Sequence, residues 1–443
     1  MDQALLQKID EEIRNCRPAL AQDTIDLIRI DSTQQKAEPG APYGKGAKEV
    51  LETVLEMGKS EGFYPTDYDV GVVSLGLKEG QPDLGIWLHG DVVPVDNDWI
   101  YPPFEGTLYK GTHIIGRGAT DNKGQLAAVF HLLKIFKKLG VQLNYNPALY
   151  VGSSEETGME DVKAFLAQHT PPKLSLVPDS SFPVGYGGKG GMNLTFRSKK
   201  PLQNLTVTAG LADAPGKAEA TLAGMAYFAE TLPRHTANPD PDGNMITRLA
   251  EQLLPNAELS NDDRKVIEFC RKISLDINGK NFGVFKESKE MKPLTIFAKT
   301  IQTTDRHLYL TVNIRYPIEN TTQQIIDGLS AVASKHEMEL TESKVSIPPY
   351  LLDKEEPLIQ KLNKIANEIT GTDASPYTLS GGTYAHLLPN ALAYGMSGNG
   401  IPEDFPAGHG GAHGKDEIVS LERLETAMRI YARALLALNE VDW

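Results

Sequence analysis

The sequence predicts an α/β protein with a mainly parallel central sheet, interrupted by an inserted α+β unit. Three observations predict it. Short apolar runs ending in glycine or proline, "LGIWLHG" (84–90), "PALYVG" (147–152) and "LSLVP" (174–178), have the length and unbroken apolarity of fully buried strands. Helical patterns lie between them, so helix and strand alternate as in a layered α/β domain. The texture then changes after about residue 187 and returns after about residue 355.

Taken in order, the first thirty residues place apolar and charged side chains at helical spacing, with Pro18 as an interruption. "GKGAKEVLETVLEMGKSEG" (44–62) is a second amphipathic helix, closed by Gly62. "TDNKGQLAAVFHLLKIFKKLG" (120–140) is a strongly apolar helix that ends in two lysines and a glycine. Beyond 187, "NLTVTAG" and "HLYLTVNIRYP" read as half-buried strands, and "GKAEATLAGMAYFAETL" and "TTQQIIDGLSAVASKHEM" as helices. "EEPLIQKLNKIANEITG" (355–371) resumes the first texture. The expected division is 1–186 and 349–443 as two segments of one domain, with 187–348 inserted. No internal repeat is visible.

A chain of 443 residues exceeds one ordinary core, in agreement with two domains. Hydrophobic content of 40% and charged content of 23% describe a soluble globular protein. The net charge of −14 repels nucleic acid and anionic lipid, so neither is an expected partner. Only Cys16 and Cys270 are present, with no CxxC, which leaves neither a disulfide framework nor a thiolate metal site. The acidic start "MDQALLQKIDEEIRNC" lacks the apolar region of a signal peptide, and no run approaches the length of a membrane span. A cytoplasmic protein is the expectation.

The strand ends hold the chemistry. In a parallel sheet the C-terminal ends of the strands share one edge, where ligands bind. "WLHGDVVP" brings His89 and Asp91 to that edge, "GRGATDNKG" brings Asp121, "SSEETG" brings Glu155 and Glu156, and "LVPDSS" brings Asp179. Near the C-terminus "GHGGAHGKDE" adds His409 and His413. Imidazole and carboxylate without thiolate suit zinc, with manganese or cobalt as alternatives. Each motif alone has an ordinary reading: a hydrogen-bonded pair, a solvated acidic loop, a helix cap. Their recurrence at successive strand ends requires all of those readings to hold at once.

"LHGDVVP", "GRGATDNKG", "SSEETG", "VPDSS" and "GGAHGKDE", in this order, resemble the di-zinc metallopeptidases of the aminoacylase and glutamate carboxypeptidase superfamily. The nearest branch is similar to the bacterial dipeptidase V type. The resemblance implies a di-zinc aminopeptidase-like catalytic domain interrupted by an α+β lid, and two zinc ions per subunit. By that resemblance His89 and Asp179 bind one metal, Glu156 and His413 the other, and Asp121 bridges both. Asp91 orients His89, and Glu155 is the general base beside a metal-bridging water. The Asp121–Asn122 bond is expected to be cis. Three carboxylates against two divalent ions leave a net charge of about +1, which lowers the pKa of bound water toward neutrality. His413 is preferred to His409 because it lies in the expected local sequence. His131 has core-like spacing, and His113, His169 and His336 have no ligand neighbours.

Substrate residues are expected in three further places. "RHTANPDPDGN" resembles the lid motif that donates an oxyanion hydrogen bond, which implies that role for His235, although Asn244 follows Gly243 directly. Arg315 in "VNIRYP" is the expected carboxylate clamp, and Gly382 in "SGGTY" offers backbone N–H to the same carboxylate. The dipeptidase branch has an asparagine near the lid start where this chain has Ala212 and Asp213, a departure at the position that the resemblance assigns to the substrate amino terminus. The expected activity is a dipeptidase on short peptides with a free C-terminal carboxylate. The alternatives are an N-acyl-amino-acid deacylase or desuccinylase, and a non-catalytic metal-dependent binding protein. A long insert that covers the site within one chain implies a monomer, with a homodimer as the alternative.

Overall fold

The computed structural model describes residues 2–209, 217–230, 244–396, 400–441 and 443. It divides into two compact units. One comprises Met1–Gly187, Leu352–Tyr377 and Thr383–Trp443; the other comprises Gly188–Leu351 and Thr378–Gly382. The short segment 378–382 packs with the second unit, where Thr378 Oγ1 donates to the Glu290 carbonyl and the Leu379 carbonyl accepts from Lys189 N. The sequence had placed this segment in the first.

In the first unit, strands Pro147–Gly152, Leu84–His89, Leu174–Val177 and Ala391–Ala393 form a parallel centre. The first three are buried along their whole length, as their unbroken apolar runs require. Val72–Gly76 and Tyr64–Asp67 extend one side antiparallel. Helix Lys123–Lys138 is buried over most of its circumference, and its two terminal lysines complement the dipole. The N-terminal stretch is two helices, Gln3–Asn15 and Arg17–Ile28, broken at Cys16; Pro18 sits in the first turn of the second, where it removes no intrahelical bond. Helix Pro357–Thr370 stops at Gly371 in the left-handed region, φ 69°.

Among the described residues the second unit is built on an antiparallel sheet of seven strands, with helices Met245–Leu253, Asn261–Leu275 and Thr322–Lys335 contributing to its core. Here the sequence reading of "GKAEATLAGMAYFAETL" as a helix fails. Lys217–Leu222 and Met225–Glu230 are paired strands joined through Ala223 and Gly224, both at positive φ (48° and 82°). The alanines suggested a helix, but Ala218, Ala220 and Leu222 alternate inward with period two and bury one sheet face. No helix among the described residues is long and apolar enough to cross a membrane.

Candidate metal centre

His89, Asp91, Glu155, Glu156 and Asp179 stand at or just past the ends of buried strands, Asp121 lies just before helix Lys123–Lys138, and His413 comes from the loop before strand Ile418–Ser420. His89 is the last residue of its strand and is fully buried. Its Nδ1 lies 3.0 Å from the Asp91 carbonyl oxygen, its Nε2 3.0 Å from Asp121 Oδ1 and 4.0 Å from Asp179 Oδ2. His413 Nε2 lies 3.2 Å from Asp121 Oδ2 and 3.1 Å from Glu156 Oε2. Two donor sets result, His89–Asp121–Asp179 and Asp121–Glu156–His413, each with its ligand atoms within 4.8 Å of one another and with Asp121 shared. The Asp121–Asn122 peptide is cis.

Glu155 stands outside both sets. It is 8% exposed, and its backbone N–H donates to Asp91 Oδ1 at 3.1 Å while that of Glu156 donates to Oδ2 at 3.1 Å. Asp91 therefore holds the turn that carries both glutamates as well as standing beside His89. Two adjacent carboxylates can leave a buried strand here because a third clamps their backbone.

The electrostatics describe a site short of cations. Burial, and then the charge of Asp179, push the Glu155 carboxyl well above the usual range. Burial and Asp121 raise Glu156 to about 6, and the same two causes raise Asp179 to about 7. Burial opposes the charge of Asp121, but hydrogen bonds from His413 and His89 hold it well below its ordinary value. Burial likewise disfavours the two imidazolium ions, yet Asp121 with Asp91 raises His89, and Asp121 with Glu156 pushes His413 up to about 12. The imidazoles thus act as the counter-ions. Glu155 and Glu156 each keep a buried Oε1 with no hydrogen-bond partner among the described residues. Hard oxygen donors, imidazole nitrogens that a cation would deprotonate, and orphaned buried carboxylate oxygens fit a pair of divalent cations.

Four supporting residues, Glu417, Arg117, Asp161 and Tyr384, escaped the sequence reading. Glu417 is fully buried and accepts from Arg117 Nη1 (2.8 Å), Gly118 N (3.1 Å), Thr120 N (2.8 Å) and Asp121 N (2.8 Å). Arg117 Nη2 also donates to the His413 carbonyl at 3.3 Å, so one ion pair fixes both Asp121 and His413. Asp161 Oδ2 accepts from Ser153 N, Ser154 N and Tyr384 Oη at 2.7, 2.9 and 2.5 Å, which anchors the turn from below. Gly152 must be glycine there, because a Cβ would lie 2.0 Å from Tyr384 Oη. Glu417 stood in the quoted "GKDE" but had no assigned role; Asp161 and Tyr384 gave no local signal.

The other histidines have ordinary partners. His409 Nδ1 pairs with Asp416, which also accepts from Ile100 N and Tyr101 N. His131 pairs with Asp23, His113 with the Gly400 carbonyl, His169 with the Tyr68 carbonyl and His336 with the Val332 carbonyl. His386 is buried in a single helical turn, Tyr384–His386. His235, Gly243, Ala212 and Asp213 lie outside the described residues. Asn244 is described, and it caps helix Met245–Leu253 through Ile246 N. Arg315 and Gly382 both belong to the second unit.

A parallel-sheet unit with such clusters at its strand ends, interrupted by an antiparallel α+β unit, defines the metallopeptidase class of hydrolase. The chain belongs to the peptidase family M20/M25/M40, which its sequence matches over residues 86–437. It is 27% identical over 469 residues to the putative dipeptidase YtjP of Bacillus subtilis (strain 168), across 96% of this chain and 98% of that one. A putative dipeptidase of Staphylococcus aureus (strain MRSA252) is 25% identical, across 97% and 98%. Human carnosine dipeptidase 1 superposes with TM-score 0.65 at 14% identity, over 100% of both chains. The di-peptidase Dug1p of Saccharomyces cerevisiae gives 0.65 at 13%, over 99% of each. At these identities the structural likeness establishes the fold.

Proposed function

We propose that this chain is a di-metal-dependent dipeptidase that hydrolyses short peptides bearing a free C-terminal carboxylate. The observation that carries the reading is Glu155: a buried carboxylate beside two shared-ligand donor sets but part of neither. His89, Asp121 and Asp179 would hold one cation, and Asp121, Glu156 and His413 the other. Two divalent cations at these positions supply Lewis acidity toward a carbonyl oxygen and toward water.

The chain's own residues do the rest. Glu155, whose carboxyl burial holds well above its ordinary range, takes a proton from the attacking water and delivers it to the leaving amine nitrogen. Asp91 holds the Glu155 and Glu156 backbone and so keeps the base in register with the ligands. Arg315 takes the substrate carboxylate, and His235 and Gly382 are the further proposed substrate contacts. Support for peptides as substrates comes from the relatives described as dipeptidases.

The test is hydrolysis of a dipeptide panel beside N-acetyl and N-succinyl amino acids, with chelator-stripped protein reloaded with zinc, manganese or cobalt. Metal-restored cleavage of dipeptides is expected. Cleavage of acyl amino acids alone would overturn the dipeptidase assignment in favour of a deacylase, and silence on both would overturn catalysis.

A further inference from the structure

Two buried N–H donors beside the cation positions have no acceptor. Arg117 is 2% exposed. Its Nη1 donates to Glu417 at 2.8 Å, and its Nη2 reaches the Pro94 and His413 carbonyls at 3.4 and 3.3 Å. Its Nε is buried and has no partner among the described residues. The Trp99 indole lies against the same guanidinium, with its ring centre 5.1 Å from Cζ. The indole Nε1 is likewise buried and unpartnered among the described residues.

Both side chains are held in place. The Asp416 carboxylate accepts from Ile100 N at 2.9 Å and from Tyr101 N at 2.8 Å, which fixes the backbone just after Trp99. Lys415 Nζ, 2.6 Å from Asp98 Oδ2, ties the same loop to the segment that carries His413. Glu417 holds the guanidinium from the Nη1 side. Neither donor can swing out to water while these anchors hold.

A buried donor left without an acceptor is destabilising, more so on a charged group. Two such donors on groups whose centres are 5.1 Å apart point to one missing acceptor between them. It must be compact, because both nitrogens are closed to solvent, and it need only accept. A halide ion meets these demands. It is a single atom that accepts from any direction, and the guanidinium balances its charge on the edge that Glu417 leaves open. Water would bring two hydrogens that need acceptors of their own.

We propose that one halide ion, chloride in the cell, binds between Arg117 Nε and Trp99 Nε1. Bound there, it joins the Trp99 loop to the guanidinium that holds Glu417 and the His413 carbonyl. The site lies wholly within the first unit and does not depend on the peptide-hydrolase reading.

The test replaces chloride by bromide. Crystals of the metal-loaded protein, grown without chloride and transferred to sodium bromide, are measured at the bromine absorption edge. An anomalous peak within hydrogen-bond distance of both nitrogens is expected. A water at the two nitrogens, or an adventitious ion only, bound elsewhere on the surface, overturns the proposal. In solution, the chlorine NMR resonance of sodium chloride should broaden when the metal-loaded protein is added, and bromide should reverse the broadening. Trp99→Phe keeps a ring for the guanidinium and removes the N–H. It should weaken this halide binding about tenfold, the effect of losing one hydrogen bond to a charged group. Chloride on the metals is common to both proteins and cancels in the comparison. Equal titrations of the two proteins overturn the site, and the crystallographic result needs no variant.

Discussion

Glu417 is the residue whose loss the structure makes most specific. Its carboxylate accepts from the Arg117 guanidinium and from three backbone N–H groups, those of Gly118, Thr120 and Asp121. Glu417→Gln keeps the shape but replaces one acceptor oxygen with an N–H₂ that faces donors on every side. Hydrogen bonds to a charged acceptor contribute about 1.5–3 kcal/mol each. Breaking a buried ion pair from one side costs about 3–5 kcal/mol, because the partner stays buried. The two effects overlap, and the expected loss of stability is about 4 kcal/mol. The functional consequence reaches further than stability. Asp121 is shared by both donor sets, and Arg117 also holds the His413 carbonyl, so both cation positions lose a fixed ligand. Metal affinity should fall about 10- to 100-fold, the usual effect of removing a residue that orients ligands. Urea unfolding of the metal-loaded proteins reads the first number, and competition with a chelator of known affinity reads the second. Unchanged chelator competition in a variant that is folded but less stable would refute the claim that Glu417 positions the ligands.

Three further outcomes are expected. In metal-free protein Glu155, Glu156, Asp179, His89 and His413 all have folded-state pKa values above their unfolded ones, so the stability they contribute is present at low pH and lost as pH rises. Glu156 and Asp179 act between about pH 4 and 7 and the imidazoles above about 6.5, with Glu156 alone amounting to about 2 kcal/mol; Asp121 runs the other way only below its usual range. Since cations need deprotonated ligands, the Tm gap between reloaded and stripped protein should widen from pH 5 to pH 8, and a constant or narrowing gap in calorimetry would contradict this. Tyr384→Phe removes the hydroxyl that Asp161 accepts; kcat should fall about tenfold and stability by about 1.5–3 kcal/mol with metal content retained, whereas an unchanged kcat would show that the turn needs no such anchor. Arg315→Ala should raise KM for free dipeptides at least about tenfold and leave dipeptide amides unaffected; equal effects on both would remove it as the carboxylate contact.

The parallel centre was legible because full burial leaves an unbroken apolar run, and "LGIWLHG", "PALYVG" and "LSLVP" are each bounded by small or turn-forming residues. His89, Glu156 and Asp179 were legible for the same reason, since they stand at or just beyond a strand end, and the structure brings them together with Asp121 and His413 into two clusters. The hairpin 217–230 was not legible: alanine carries a strong helical preference, and only pairing with a neighbouring strand reveals the period-two burial. Glu417 and Asp161 were hidden for a different reason. Their role is to accept backbone N–H groups, in the case of Glu417 from a loop almost 300 positions earlier. Any residue can supply such a donor, so the partner leaves no trace in the side-chain pattern.

The central claim is that Glu155 moves the proton while the other acids and imidazoles hold the cations. Glu155→Gln tests it most directly, by metal content per chain together with dipeptide turnover on the same preparation. Two bound cations per chain are expected, unchanged from the unaltered protein, with kcat lower by about 10²–10⁴-fold. Turnover within about tenfold of the unaltered chain, or loss of a cation, would contradict it.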